Sequence, residues 1–164
     1  MIIIDYREFC VVEPTRNTRR RRRIEGGLNN QAKRNRILLV DDEPDLCMVY
    51  QIVLQDAGFE CTSYTDSVKA LQEFRPNYYN LILLDIKMPV LDGFELCKKI
   101  READKSIGII FITASEQFYK KVREERYPEL INYTSIRYIQ KPIVNEELIK
   151  IVKYYDICER YKLE

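Results

Sequence analysis

The chain has 164 residues, 46% of them apolar, with 27 Lys+Arg against 26 Asp+Glu and no His. That length suits one domain with something added, and the lack of His excludes His-based triads and His general bases. The five cysteines are odd in number, and no CxxC occurs, which argues against a disulfide framework or a zinc site and for reduced thiols in a cytosolic protein.

The near-neutral total hides an uneven distribution. Residues 1–36 hold ten basic side chains against four acidic ones, a net of +6, whereas residues 37–164 hold 17 against 22, a net of −5. Residues 1–35 therefore read as a basic appendage to a domain over 36–164. Met1-Ile2-Ile3-Ile4 runs straight into Asp5, so it is no secretory signal, and no apolar run approaches a membrane span. Residues 2–12 have the pattern of a short strand, which Pro14 ends. Five consecutive arginines, residues 19–23, repel one another and have little to bury, so residues 14–35 are expected to be disordered. The arginine run reads as a solvated tail or a translation start placed too far upstream. The rival reading is a nucleic-acid-binding arm, but no aromatic residues interleave the arginines to stack on bases.

From Arg36 the pattern alternates between strand and helix. A strand over 36–41 is followed by Pro44 at a helix start, then Leu46, Val49, Tyr50, Val53, Leu54 and Ala57 at helical spacing, with Gly58 as the C-terminal cap. A strand over 59–64 and a helix over 66–75 end before Pro76. A third strand over 79–84 precedes a loop closed by Asp92-Gly93, and a helix over 93–103 buries Phe94, Cys97 and Ile100. A strand over 107–112, a helix over 116–126, a strand over 136–140 and a helix over 145–160 complete a (βα)5 series. Nearly continuous apolar strands imply a parallel sheet covered on both faces. Right-handed crossovers then favour a doubly wound, flavodoxin-like α/β fold with strand order 2-1-3-4-5 and a crevice beside strands one and three.

Polar residues stand where the strands end. Ile37-Leu38-Leu39-Val40 runs into Asp41-Asp42-Glu43, Leu81-Ile82-Leu83-Leu84 into Asp85, Ile109-Ile110-Phe111-Ile112 into Thr113, and Tyr138-Ile139-Gln140 into Lys141-Pro142. Asp41-Asp42 taken alone reads equally well as a helix N-cap pair. Three carboxylates at one crevice repel each other, and a hard divalent cation such as Mg²⁺ relieves that. Lys141 brings a compact positive charge and Thr113 a hydroxyl. The set suits phosphoryl transfer, with Asp85 as the nucleophile that becomes an aspartyl phosphate.

Asp41-Asp42, Asp85 with Met88-Pro89 and Asp92-Gly93 behind it, Thr113-Ala114 and Lys141-Pro142 closely resemble the receiver domain of two-component response regulators. The resemblance covers residues 36–160. It implies that Asp85 is the phosphoacceptor and that Asp42, Asp85 and the Lys87 backbone carbonyl ligate Mg²⁺, with Asp41 acting through a metal-bound water. It further implies that Lys141, before a cis Pro142, binds the phosphoryl group, and that Thr113 and Tyr138 form a two-position switch. Lys87 and Ser115 would tune dephosphorylation. The implied partners are a histidine kinase or phosphotransfer protein and a downstream protein target. The implied role is that of a stand-alone, cytoplasmic regulator and not an enzyme beyond its own phosphorylation and dephosphorylation. A turnover phosphatase of similar fold is disfavoured because Asp85-Ile86-Lys87 places lysine where the second acid would stand. The stretch after Pro128 is longer than usual for the family. Tyr119, Tyr127, Tyr133, Tyr154, Tyr155 and Tyr161 fall in this part of the chain, which allows a homodimer through the last strand and helix or simple packing.

Overall fold

The computed structural model describes residues 35–114, 124–128 and 136–162, with 156–162 described by backbone alone. Expectations about residues 1–34, Ser115, Tyr119 and 129–135, and about most of the helix over 116–126, lie outside these residues. Residues 124–126 are helical.

Five strands form one parallel sheet in the order β2-β1-β3-β4-β5. They are β1 (Arg36–Val40), β2 (Glu60–Tyr64), β3 (Leu81–Asp85), β4 (Gly108–Thr113) and β5 (Ile136–Gln140). The helices are α1 (Pro44–Asp56), α2 (Ser67–Glu73), α3 (Gly93–Ala103) and α4 (Asn145–Lys162). The boundaries differ from the sequence expectation by one or two residues, and α3 and β5 coincide with it.

The strands read as unbroken apolar runs because both faces of the sheet are covered, and period-two alternation divides their side chains. Leu38, Val40, Ile82, Leu84, Ile109 and Phe111 point to one side, where they pack with Ala70 of α2 and Phe94, Leu96, Cys97 and Ile100 of α3. Ile37, Leu39, Leu81, Leu83, Ile110 and Ile112 point to the other, where they meet Cys47, Tyr50 and Leu54 of α1 and Leu148, Ile151 and Val152 of α4. Most of these side chains have no solvent exposure, and each such burial stabilises the fold by roughly 1.5–3 kcal/mol.

The connections show why the turn residues are what they are. Pro44 sits in the first turn of α1, and Gly58 follows that helix with φ +94°, a conformation open to glycine. Asp66 caps α2 by accepting hydrogen bonds from the Val68 and Lys69 N–H groups. Gly108 stands so close to the buried Tyr155 of α4 that a Cβ there would lie 1.7 Å from the phenol oxygen. Tyr127, with its ring stacked on Phe94 at 5.3 Å, is buried like Tyr155. These two tyrosines therefore pack inside rather than form an interface. Cys47, Cys61 and Cys97 are free and buried, and burial pushes their thiols up to about 11, 12 and 12. At neutral pH they are unreactive thiols.

Candidate functional site

The register of the central strands brings the site together. Val40 of β1 lies beside Leu84 of β3, so Asp41 and Asp85, one step further along, are neighbours. Asp85 does not follow β3 but ends it, opposite Ile112 of β4. Period two places its carboxylate on the same face as Leu81 and Leu83, toward α1 and α4. Thr113 ends β4 opposite Gln140, the residue before Lys141, and the Thr113 carbonyl accepts the Lys141 N–H at 2.7 Å. The Lys141–Pro142 peptide is cis, as the resemblance implied.

Lys141 is the centre of the arrangement. Its Nζ lies 2.8 Å from Asp41 Oδ2, 2.9 Å from Asp85 Oδ1 and 3.2 Å from Glu43 Oε1. Its side chain is 12% exposed, those of Asp41 and Asp85 0% and 7%, and that of Glu43 61%. Two carboxylates are thus held inside the sheet's end and a third reaches in from solvent. Burial alone would push the ammonium toward neutrality, but close contact with the Asp41 and Asp85 carboxylates and their charge outweigh it, and the Lys141 pKa is raised. Burial also raises the Asp41 carboxyl, against the opposing pull of Lys141 and of the Glu43 N–H, which donates to Asp41 Oδ1 at 3.1 Å. Asp41 Oδ2 touches the ammonium without an aligned hydrogen bond. Burial therefore disfavours the ionised form of Asp41, and its neighbours only partly offset this.

The capping reading of Asp41-Asp42 does not hold. Glu43 is the N-cap of α1, its side chain makes no capping bond, and Asp41 is occupied with the N-cap residue's own N–H. Asp41 is fixed from two further sides. Its N–H donates to the Tyr64 carbonyl at 3.2 Å, and its carbonyl accepts from Cys47 Sγ at 3.2 Å.

The loop after Asp85 is pinned at both ends. Gly93 N–H donates to the Ile86 carbonyl at 2.9 Å, and a Cβ on Gly93 would lie 2.2 Å from the Asp85 carbonyl oxygen. Only glycine permits that approach. Asp92 caps α3 through the Glu95 N–H at 2.9 Å. Ile86, Met88 and Leu91 tuck into the core on the α2–α3 side, while Lys87 is exposed and Val90 is 91% exposed with φ +68°. A β-branched residue is strained in that conformation.

The structure thus unites Asp41, Asp85 and Lys141, with Thr113 joined to Lys141 through the backbone. Asp42 is half-buried beside them, and among the described residues Lys141 pairs with Asp41, Asp85 and Glu43 but not with Asp42. Tyr138 is half-buried at the position in register with Phe111, packed on the α2–α3 side. Glu43 has no role in the sequence reading, although the third acid of Asp41-Asp42-Glu43 was visible. The contact spans 98 residues and needed the register to be found.

The donor set fits a hard divalent ion. It is made of oxygens, and three carboxylates (Asp41, Glu43, Asp85) meet one ammonium with Asp42 next in the chain, leaving an excess of negative charge. Among the described residues no three His, Cys, Asp or Glu side chains are gathered at metal-holding distance. Lys141 lies between Asp41 and Asp85 and offsets part of that charge.

Residues 37–153 match the response regulator receiver domain model. The chain is 33% identical over 117 residues to the response regulator ArlR of Staphylococcus aureus, which covers 71% of this chain and 50% of that protein. It thus spans about half the length of the curated relatives it matches. Among solved structures it is similar to the Thermotoga maritima response regulator TrrA in complex with Mg²⁺ and BeF, with a TM-score of 0.60 and 30% identity over 74% of this chain and 98% of that one. It is also similar to the Vibrio cholerae chemotaxis protein CheY4, with a TM-score of 0.59 and 28% identity over 72% and 95%. Sheet order, strand-end chemistry and these matches agree, and the chain belongs to the response regulator receiver domain family.

Proposed function

We propose that Asp85 accepts a phosphoryl group from a histidine kinase or phosphotransfer protein, and that Lys141 then binds the phosphoryl oxygens. The observation that carries this reading is the Lys141 ammonium held at 2.8 and 2.9 Å between Asp41 and Asp85, at the carboxyl end of the sheet. A carboxylate there is a nucleophile backed by a cation that can follow developing charge with little movement. Asp42, Asp85 and the Lys87 carbonyl would hold Mg²⁺, with Asp41 acting through water. The ion would supply neutralisation of the transferring group. Asp41 and Lys141 keep the Asp85 carboxylate oriented, and the Gly93–Ile86 bond keeps the loop behind it closed.

Thr113 and Tyr138 are the proposed switch. The Thr113 carbonyl already joins β4 to the Lys141 turn, so movement of Lys141 toward a phosphoryl group pulls on this joint. Tyr138 sits on the other face of the sheet, beside Phe111, from where its half-buried ring would move inward. A downstream protein would read that face.

The domain is a signalling module, and no helix among the described residues is long and apolar enough to cross a membrane. The basic arm and its arginines lie outside the described residues, and the nucleic-acid reading gains no observation. The test is direct. The protein is incubated with Mg²⁺ and a small phosphodonor, and the modified residue is located by mass. The expected result is one phosphoryl group on Asp85, absent in Asp85→Asn. Incorporation that persists in the variant overturns the assignment.

A further inference from the structure

We propose that Glu43 is a positioning residue that keeps the place of a phosphoryl oxygen on Lys141, and so slows transfer from small anionic donors. The proposal rests on the reading of Asp85 as phosphoacceptor. An ammonium has three N–H donors, and Lys141 has three carboxylate neighbours, Asp41, Asp85 and Glu43, at 2.8, 2.9 and 3.2 Å. These three carboxylates crowd the ammonium, Glu43 by an aligned hydrogen bond, and a phosphoryl oxygen must displace one of them.

The three acceptors differ in what release costs. Asp41 is fully buried, and losing Lys141 would strand its carboxylate away from water. Asp85 is nearly as buried and is the residue that carries the phosphoryl group. Glu43 is 61% exposed and returns to solvent at little cost. Its contact is also the longest of the three. The position points the same way. Glu43 is the N-cap of α1, where a side chain ordinarily accepts a hydrogen bond from the first turn, yet it makes no such bond and reaches Lys141 instead. Its backbone N–H on Asp41 Oδ1 at 3.1 Å holds it beside the pocket. Glu43 also places an exposed negative charge beside Lys141, which repels an anionic donor.

The step affected is attack of an Asp85 carboxylate oxygen on the phosphorus of acetyl phosphate. An O–P bond forms to Asp85, the P–O bond to the acetyl group breaks, and acetate leaves with the bonding pair. No net proton is exchanged.

The experiment compares wild type, Glu43→Gln and Glu43→Asp in the full chain with Mg²⁺ and acetyl phosphate, by the initial rate of phosphoprotein formation at low and high salt. Glu43→Gln is expected to be faster by roughly two- to fivefold at low salt, and the gain shrinks as salt screens the charge. Glu43→Asp, which keeps the charge but shortens the reach to Lys141, is expected to rise less than Glu43→Gln. A structural role for Glu43 would not give a salt-dependent rise that Asp lessens. Equal or slower transfer in Glu43→Gln overturns the proposal, since Glu43 would then be idle or would aid Lys141. A rise of equal size in both variants also overturns it, because the charge would not be the cause. No incorporation into wild type overturns both this proposal and the function it rests on. Incorporation that Asp85→Asn abolishes, with a flat Glu43 series, overturns this one alone.

Discussion

Two buried aspartates, one at each end of the sheet, have opposite fates. Asp104 lies at the amino end of β4, 5% exposed, and its two oxygens accept from the Asn77 N–H, the Ser106 N–H and hydroxyl, and the Ile107 N–H at 2.9–3.1 Å. Burial would push that carboxyl up, but the four donors overrule it and the pKa is lowered. Asp41 lies at the carboxyl end of β1, fully buried, and its carboxyl is raised although it has a lysine beside it. Asp104 meets only donors. Asp41 meets a donor, a cation it must share and another carboxylate. The amino end of the sheet is built for stability. The carboxyl end carries charge it has only partly satisfied, which suits the phosphoryl site proposed there.

The largest expected effect tests how firmly the carboxyl end is held. Gly93→Ala puts a Cβ 2.2 Å from the Asp85 carbonyl oxygen, which is backbone and cannot swing aside. A loss of about 3 kcal/mol or more is expected in urea unfolding. Gly108→Ala collides with the end of the Tyr155 side chain instead, and a ring that can tilt makes the loss smaller, about 1–2 kcal/mol. Equal losses would mean that the loop behind Asp85 gives way as easily as a side chain, contrary to the pinned geometry.

The next effect tests the stable end. Asp104→Ala leaves the Asn77, Ser106 and Ile107 N–H groups without their acceptor and is expected to cost about 2–3 kcal/mol at neutral pH. The folded pKa of Asp104 is lowered, so its contribution is present above the ordinary value of 3.8 and is lost as pH falls through the folded pKa. The variant should therefore approach wild type in acid. Thermal melts of both proteins from neutral pH downward check this, and a loss that stays constant below 3.8 would assign it to packing.

Much of this contrast was legible in the chain, and the unread part has a physical pattern. Strand ends such as Leu84-Asp85 and Ile112-Thr113 are local, and period and propensity expose them. Gly93 was visible as half of Asp92-Gly93, although the reason for it, contact with the Asp85 carbonyl, appears only in three dimensions. Asp104 passed unnoticed because four donors to one carboxylate depend on a turn over residues 104–107 and on Asn77, 27 positions away. Glu43 was hidden for the same reason, since its partner Lys141 lies just past the end of β5 and nothing in the local pattern of either residue announces the other. Asp85 looked like a residue after a strand and proved to be its last member, because pairing with Ile112 on one side extends the ladder by one.

The smallest effect has the opposite sign. Asp41→Asn removes a carboxylate whose ionisation the fold disfavours, and leaves Lys141 paired with Asp85 and Glu43. A raised folded pKa means that Asp41 weighs against the fold once pH rises above the ordinary value of 3.8 and through the folded pKa. The asparagine variant should therefore be more stable than wild type at neutral pH, by about 1 kcal/mol, and the gain should fade toward acid as Asp41 takes up a proton. The two aspartates then respond to pH in opposite directions, Asp104→Ala losing its defect and Asp41→Asn losing its advantage as acid is added. Melting curves of the two variants against wild type over the same pH series display this crossing. If Asp41→Asn is destabilised at neutral pH, the Lys141 pair is holding the sheet's end together, and the excess charge there is a structural clasp rather than a stored demand for a ligand.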